Sequence, residues 1–237
     1  MAVAPPSRTA ARRLPRDQRV AAIMRVAREV FGERGSEQFL TVEVARRCGI
    51  SEGTIYKYFA TRRDLLIKVA EAWFEEFLGE QPPFSPSLPV RDRLFHVIWS
   101  SLSLIRREKA LTRFVLMELR SDRNYRQMGI YELNRRIAAQ VTAVVEDGIA
   151  CGEMRGDIPL KLVRDMIFGC IEHQTWAYLR GEGDFSVEAT AEGITDIVMR
   201  GIAGASVAPA PGEMAGVVAR LEAVTQAFAK RLAALPE

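Results

Sequence analysis

The sequence is poor in the residues that form disulfide frameworks, metal centres and acid–base sites. It contains three cysteines and two histidines among 237 residues. Cys48, Cys151 and Cys170 lie far apart and include no CxxC pair, which argues against both a disulfide framework and a zinc site. The isolated His96 and His173 are expected to be buried structural residues, so we predict no metal ligands.

Catalytic motifs and membrane-spanning runs are also missing. The chain has no nucleophile elbow, no GxGxxG and no Walker loop, so we expect neither an enzyme nor a bound cofactor. No uncharged run reaches the roughly 18 residues of a membrane helix. The basic N-terminus lacks the apolar core and the cleavage site of a secretory signal. These absences predict a cytoplasmic protein with no membrane partner.

Strand patterns are absent too, and helical periodicity fills the chain, which predicts an all-α fold. In the first predicted helix, Val20, Ile23, Ala27 and Phe31 fall on one face. Gly35 then suits the left-handed conformation that ends a helix. Helices are predicted at residues 16–34, 42–48, 52–59, 62–78, 90–107, 109–121, 124–151, 159–180 and 186–201.

Two segments interrupt the helices. The stretch QPPFSPSLP at 81–89 contains four prolines, which lack the N–H donor that a helix interior needs, so it is interpreted as a linker or irregular loop. SVAPAPG at 206–212 is a second joint, and a last amphipathic helix is predicted at 213–232. The apolar positions of that helix follow the spacing of a coiled-coil seam: Val217, Leu221, Val224 and Phe228.

Residues 41–66, TVEVARRCGISEGTIYKYFATRRDLL, are predicted to form a helix-turn-helix. A tight turn at Gly49 and Ile50 separates two short helices, with Thr41 and Ser51 as the predicted N-caps. Thr61 is the predicted N-cap of the helix that follows. The residues expected to pack the two short helices together are Val44, Ala45, Ile50, Ile55 and Phe59.

The second of these helices can enter a major groove, so double-stranded DNA is the predicted partner. Helix N-termini offer free N–H groups and a positive dipole end to phosphate, and a glycine at position 53 allows the backbone to approach closely. Tyrosine hydroxyls and the charges of Lys57 and Arg62 suit phosphate contacts. The candidate DNA-binding residues are Thr41, Ser51, Glu52, Gly53, Thr54, Tyr56, Lys57, Tyr58 and Arg62.

The charge distribution favours the same partner. Residues 1–68 hold 14 Lys and Arg against 7 Asp and Glu, a net of +7, whereas residues 69–237 carry a net of −4. A segment of this charge is expected to meet a polyanion. Residues 1–15 contain Arg8, Arg12 and Arg13, and they are either a disordered solubilising tail or an arm for the minor groove.

These elements resemble the TetR family of regulators. The matching features are a glycine that ends the first helix, Val44-Ala45, the Gly49-Ile50-Ser51 turn, GTIYKYF at 53–59, and a basic residue followed by Asp-Leu-Leu at 62–66. Arg62 stands where the family usually has lysine, so the charge is retained. The resemblance covers roughly residues 16–70.

The resemblance implies two domains and a homodimer. Residues 16–62 would be the three-helix DNA-binding domain, 63–204 the ligand-binding and dimerisation domain, and 205–237 a linker with an extra helix. Two recognition helices, one turn of DNA apart, require a dimer on a palindromic operator. The expected interface helices, at 159–180 and 186–201, carry apolar faces that would otherwise belong to the monomer core: Met166, Ile167, Cys170, Ile171, Ile194, Ile197 and Val198.

A finer resemblance, over about residues 117–179, is to the FadR branch, which regulates fatty acid degradation. It implies a repressor that is released from DNA by long-chain acyl-CoA. Candidate ligand-binding residues are Trp99, Leu102, Phe114, Met117, Arg120, Phe168 and Trp176. Ordinary core packing is the simpler explanation for each of the apolar members. Arginine suits bidentate contact with CoA phosphates, although a solvated helix end explains Arg120, Arg123 and Arg126 equally well.

Other functions remain open on the residues alone. The alternatives by class are an enzyme and a protein–protein adaptor that uses the helix-turn-helix for a partner. Within the regulator class, the alternative effector is a drug-like or other apolar molecule.

Overall fold

A computed structural model of the chain describes residues 15–80, 88–204 and 225. Those residues form nine α-helices and no strand, which confirms the all-α expectation. The helices are α1 Arg16–Arg34, α2 Thr41–Arg47, α3 Glu52–Ile55, α4 Arg62–Glu80, α5 Val90–Arg107, α6 Lys109–Arg113, α7 Gly129–Ala150, α8 Leu160–Arg180 and α9 Val187–Gly201.

The helix ends follow the local signals in the sequence. Gly35 has φ +71° after α1, and Gly181 has φ +78° after α8, a region that favours glycine. The hydroxyl of Thr61 accepts the N–H of Asp64 at 3.0 Å, while the Asp64 carboxylate accepts the N–H of Ala60 at 3.0 Å. This reciprocal pair has the logic of a capping box and fixes the start of α4, as predicted.

The helix predicted at 109–121 is wrong in its second half. After α6 the chain continues as a π-helical segment, Phe114–Leu119, which we call the π segment. The amide of Arg120 donates to the carbonyl of Val115 at 3.0 Å, the wider spacing of a π turn. The helix predicted from 124 begins only at α7, after a 3-10 turn at Tyr125–Gln127.

The N-terminal core joins the three helices of the predicted DNA-binding domain to parts of the second domain. Its buried residues come from α1 to α4, from α6 and the π segment, and from the first half of α7. The largest fully buried side chains include Phe31, Phe39 and Leu65. The DNA-binding helices therefore share one core with the segment that leads into α7.

The second core lies among α5, α7, α8 and α9. Leu94, Ile98 and Leu102 of α5 are fully buried there, with Ile167 of α8. A single antiparallel bridge between Met154 and Ala203 ties the loop after α7 to the end of α9. Phe168 packs against both cores.

Several expectations concern residues outside the described ranges. These are the basic arm at 1–14, most of the proline-rich linker, and the last helix at 213–232 apart from Thr225. The expectation that both histidines are buried is wrong for His173, which is exposed on α8, while His96 is half-buried and stacks on Trp99 with ring centroids 6.2 Å apart.

Two kinds of feature are absent from the part of the chain that the structure describes. No helix there has both the length and the apolar character needed to cross a membrane. Among the same residues, no group of three or more His, Cys, Asp and Glu side chains is placed to hold a metal ion.

Candidate functional site

The turn between α2 and α3 is built as a helix-turn-helix. Gly49 has φ +64°, and the amide of Ile50 donates to the carbonyl of Ala45 at 3.0 Å. Four of the five predicted packing residues are buried, and the fifth, Ile50, is partly buried against the same core. The four are Val44, Ala45, Ile55 and Phe59. The two short helices therefore cross as the sequence predicts.

Thr41 has a different role from the predicted one. The N-cap of α2 is Leu40, and Thr41 lies within the first turn, 5% exposed. Its hydroxyl donates to the carboxylate of Glu52 and lies 3.1 Å from the hydroxyl of Tyr56. Thr41 therefore positions two side chains of the recognition segment, and its own hydroxyl does not cap the helix.

The recognition segment, which we define as residues 51–58, is only partly helical. α3 covers four residues, and a turn at 56–58 replaces the predicted continuation to Phe59. Ser51 occupies the N-cap position, as predicted, but its hydroxyl lies 2.9 Å from that of Thr54 and makes no bond to a backbone N–H.

The predicted DNA-contact residues of this segment reach the surface to different degrees. Tyr56, Lys57 and Gly53 are exposed, whereas Tyr58 is half-buried against the N-terminal core. A Cβ added to Gly53 would meet no atom within 4 Å. Because glycine inside a helix costs about 1 kcal/mol relative to alanine, and nothing in the fold needs that space, the vacancy suits the approach of an external backbone.

Basic side chains surround the recognition segment. Arg62 is exposed, and its guanidinium lies 5.9 Å from the ring centroid of Phe39. Arg47 bridges α1 and α2 by contacting Glu33 at 2.6 Å and Glu43 at 2.8 Å. Hydrogen bonds from Arg46 and Arg47 lower the pKa of Glu43 to about 2. This ion network holds α2 against α1 and so orients the motif.

The structure distributes the candidate ligand-binding residues over both cores. Leu102 is fully buried in the second core, where Trp99 and Met117 pack at its edge. Phe114 is buried in the N-terminal core, with its ring 5.6 Å from that of Phe31. Of these residues, Phe168 is the one that contacts both cores.

The remaining two ligand candidates lie at the surface. Arg120 is exposed and pairs with Glu172 of α8 at 2.8 Å. Trp176 is 44% exposed on the outside of α8, with the guanidinium of Arg180 5.7 Å from its ring centroid. Trp176 therefore lies outside both cores, because its position on α8 points it away from them.

An open cleft of about 940 Å³ lies at the end of α5. Trp99 is the one ligand candidate among its lining residues, and its indole N–H donates to Glu188 at 3.0 Å. Arg106 in the wall is already paired with Asp184 at 2.9 Å. The cleft therefore does not unite the predicted ligand residues.

A set of long-range contacts to residues 108–122 was not predicted. Arg63 at the start of α4 pairs with Asp122 at 2.7 Å, and Arg28 of α1 donates to Glu108 at 3.1 Å. Ser36 also donates to Glu118 in the π segment. These partners lie 59 to 82 residues apart in sequence, so no local signal marks them.

The predicted dimer residues divide into two faces. Ile167, Ile171, Ile194 and Val198 are buried in the second core. The others are exposed: Met166 by 54%, Ile197 by 68%, and Cys170. The outer faces of α8 and α9 thus present apolar side chains that no described residue covers.

The fold and the motif define a DNA-binding protein with an N-terminal helix-turn-helix and a separate helical domain. Residues 23–69 match the model for bacterial regulatory proteins of the tetR family, and residues 87–202 match the tetracyclin repressor-like C-terminal domain. The chain belongs to the TetR family of transcriptional regulators, which confirms the resemblance seen in the sequence.

Individual relatives refine this assignment. The chain is 24% identical over 181 residues to the fatty acid metabolism regulator protein of Bacillus subtilis (strain 168), covering 76% of this chain and 93% of that protein. It is 23% identical over 186 residues to the transcriptional repressor KstR2 of Rhodococcus jostii (strain RHA1), covering 76% and 89%. The crystal structure of FadR from Bacillus subtilis in complex with stearoyl-CoA matches with a TM-score of 0.60 and 26% identity, covering 77% of this chain and 98% of that one.

Proposed function

We propose that this regulator is a homodimeric repressor that leaves a palindromic operator when it binds long-chain acyl-CoA. The observation that carries the proposal is the similarity, over 76% of this chain, to a fatty acid metabolism regulator whose structure holds stearoyl-CoA. A drug-like or other apolar effector is the alternative.

DNA contact is assigned to the exposed part of the recognition segment and its basic surroundings. Lys57 and Arg62 supply cations for phosphate, which position the protein without reading sequence. Glu52 is able to accept from cytosine N4 in the major groove. Thr41 contributes indirectly, because its hydroxyl holds Glu52 and Tyr56.

The acyl chain is assigned to the apolar side chains around Phe168, which contacts both cores. Leu102, Met117 and Phe168 lie in or against the second core there, and an apolar chain would displace contacts among them. The CoA end of the ligand needs cations at the solvent-exposed opening of the binding site. Arg120 is exposed at the end of the π segment and supplies one.

The signal would pass through the π segment. Met117 packs on the second core, while Phe114 and Glu118 of the same segment contact Phe31 and Ser36 of the N-terminal domain. A ligand that moves Met117 therefore changes how α1 is held. The effect is a population shift toward a conformer whose recognition segments no longer match adjacent major grooves.

The test uses fluorescence anisotropy to measure release of a labelled operator duplex from the protein. Acyl-CoAs of increasing chain length, up to stearoyl-CoA, are compared with free CoA and free fatty acid. Release that strengthens with chain length and requires the CoA thioester is expected. By linkage, operator DNA must weaken acyl-CoA binding by the same factor.

A charge variant tests whether Arg120 contacts the CoA end of the ligand. Arg120→Gln is expected to weaken release by stearoyl-CoA, because it removes a cation from the CoA end. Arg135→Gln is the matched control, since Arg135 is an exposed arginine on α7 paired with Glu132 at 3.2 Å. Absence of release at every chain length would favour another apolar effector and leave the regulator assignment unchanged.

A further inference from the structure

Two exposed apolar side chains lie beside the recognition segment. Leu40 is 60% exposed and Val42 is 54% exposed, although the residue between them, Thr41, is buried. Thr41 contacts Glu52 and Tyr56. Leu40 and Val42 therefore emerge where α2 begins, next to the side chains assigned to DNA, and away from the ion-paired arginines at the other end of α2.

The fold does not account for this exposure. Thr41, Val44 and Ala45 form the buried side of α2. Val42 lies about 100° around the helix from the middle of that side, and it is 54% exposed. A polar residue at position 42 would leave the core of the domain unchanged. Two large apolar side chains on a surface rich in charged groups instead favour an apolar contact outside the chain.

We propose that Val42, supported by Leu40, reads thymine through its C5-methyl group. The inference rests on the proposed DNA-binding function. The methyl group is the apolar feature that a base pair presents in the major groove. Thr41, which lies between the two apolar residues in sequence, contacts the exposed Tyr56, so the patch adjoins the recognition segment. The contact would specify thymine at one position in each half-site.

The experiment removes the methyl group and nothing else. An operator is selected from a random duplex library with the full-length protein, and each thymine is then replaced by deoxyuridine in both half-sites. Deoxyuridine keeps the base pairing. At one position per half-site, binding is expected to weaken roughly fourfold for each methyl group lost, the ratio that corresponds to burying one such group.

Protein variants assign the contact to these side chains. Val42→Thr keeps the shape of the side chain but replaces one methyl group with a hydroxyl. It is expected to reduce the deoxyuridine penalty in part, because the methyl group that threonine keeps can still contact the thymine methyl. Leu40→Asn is expected to reduce the discrimination in part. Lys57→Met is the control, because loss of a phosphate contact weakens both operators by the same factor.

The outcomes separate this inference from the proposed function. If deoxyuridine has no effect at any position while the parent still binds the thymine operator, the methyl contact is wrong and DNA binding stands. If the deoxyuridine penalty is unchanged in both Val42→Thr and Leu40→Asn, another group reads the methyl and the assignment is overturned. If the parent enriches no duplex from the library, the DNA-binding function itself fails.

Discussion

The ring of Phe114 packs edge-on against that of Phe31, with the two centroids 5.6 Å apart and the planes at 74°. This pair joins the π segment to α1, and both rings are buried in the N-terminal core. The two rings form the apolar part of this junction, and the ion pair between Arg28 and Glu108 forms its charged part.

Replacing Phe114 with leucine should weaken both stability and signalling. Loss of the aromatic pair is expected to lower the free energy of unfolding by about 1 kcal/mol, measured by urea denaturation. Operator release by stearoyl-CoA should also need more ligand, because the π segment would pack less closely against α1. Phe185→Leu is the control, since it removes the Tyr178–Phe185 pair, 5.3 Å apart, at a distance from α1. Equal effects of the two variants on release would contradict this path.

The Thr41 hydroxyl is predicted to organise the recognition segment. Thr41→Val removes its bonds to Glu52 and Tyr56 and keeps the shape of the buried side chain. A lost bond to a charged group corresponds to about 1.5–3 kcal/mol, so we expect roughly tenfold weaker operator binding in anisotropy titrations. Thr41→Ser keeps the hydroxyl and should bind nearly as the parent does. Unchanged affinity in Thr41→Val would show that the hydroxyl does not position the segment.

The exposed face of α8 and α9 is predicted to be the dimer interface. Ile197 is 68% exposed in the single chain, so Ile197→Asp should leave the monomer folded but bury an unpaired charge in the dimer. Light scattering should show a species of about twice the 26.5 kDa chain mass for the parent and the single-chain mass for the variant. Leu88→Asp makes a similar change at a leucine that is 48% exposed and lies outside both helices. A parent that runs as a monomer at micromolar concentration would exclude the interface.

Acid should weaken the ion pairs of Glu43 within α2 in a defined pH window. Hydrogen bonds from Arg46 and Arg47 lower the pKa of Glu43 from its ordinary 4.5 to about 2. A carboxylate whose pKa is lower in the folded state stabilises that state fully above the unfolded pKa, and the contribution is lost as the pH falls toward the folded one. The melting temperature of the parent should therefore exceed that of Glu43→Gln above pH 5, and the difference should disappear near pH 2.

Salt provides the control for this pH effect. The pairs of Glu43 lie near the surface, so 1 M NaCl should reduce the difference in melting temperature at neutral pH. A difference between parent and Glu43→Gln that stays constant from pH 7 to pH 2 would assign the effect of the substitution to something other than charge.

Much of the helix-turn-helix could be predicted because its signals are local. Helical periodicity placed α1 at its observed bounds, and the packing set around Ala45 and Ile55 is buried as expected. Helical geometry places Val42 beside the buried side of α2, which Thr41, Val44 and Ala45 form. The start of α4 was predictable from Thr61, whose hydroxyl caps a helix within three residues.

The effector site was less predictable because its residues meet only after the chain has folded. In the sequence, Phe114 and Leu102 are both apolar positions of predicted helices, yet they belong to different cores in the structure. Trp176 and Ile171 share α8, and only packing against α5, α7 and α9 decides which of them is exposed. A composition of aromatic and aliphatic residues therefore indicates a core without saying which side chains adjoin a ligand.

The sequence by itself determined the helical fold, the turn at Gly49 and the exposed recognition segment, because caps, glycine conformations and apolar faces depend on residues within about four positions of one another. Only the tertiary structure decided that Thr41 is buried against Glu52 and Tyr56, and that Arg28 and Ser36 reach partners about 80 residues away. It also decided that the chain widens into a π turn at 114–119. Such contacts depend on how helices pack against one another, and that arrangement is set by the two cores as wholes and by no single stretch of sequence.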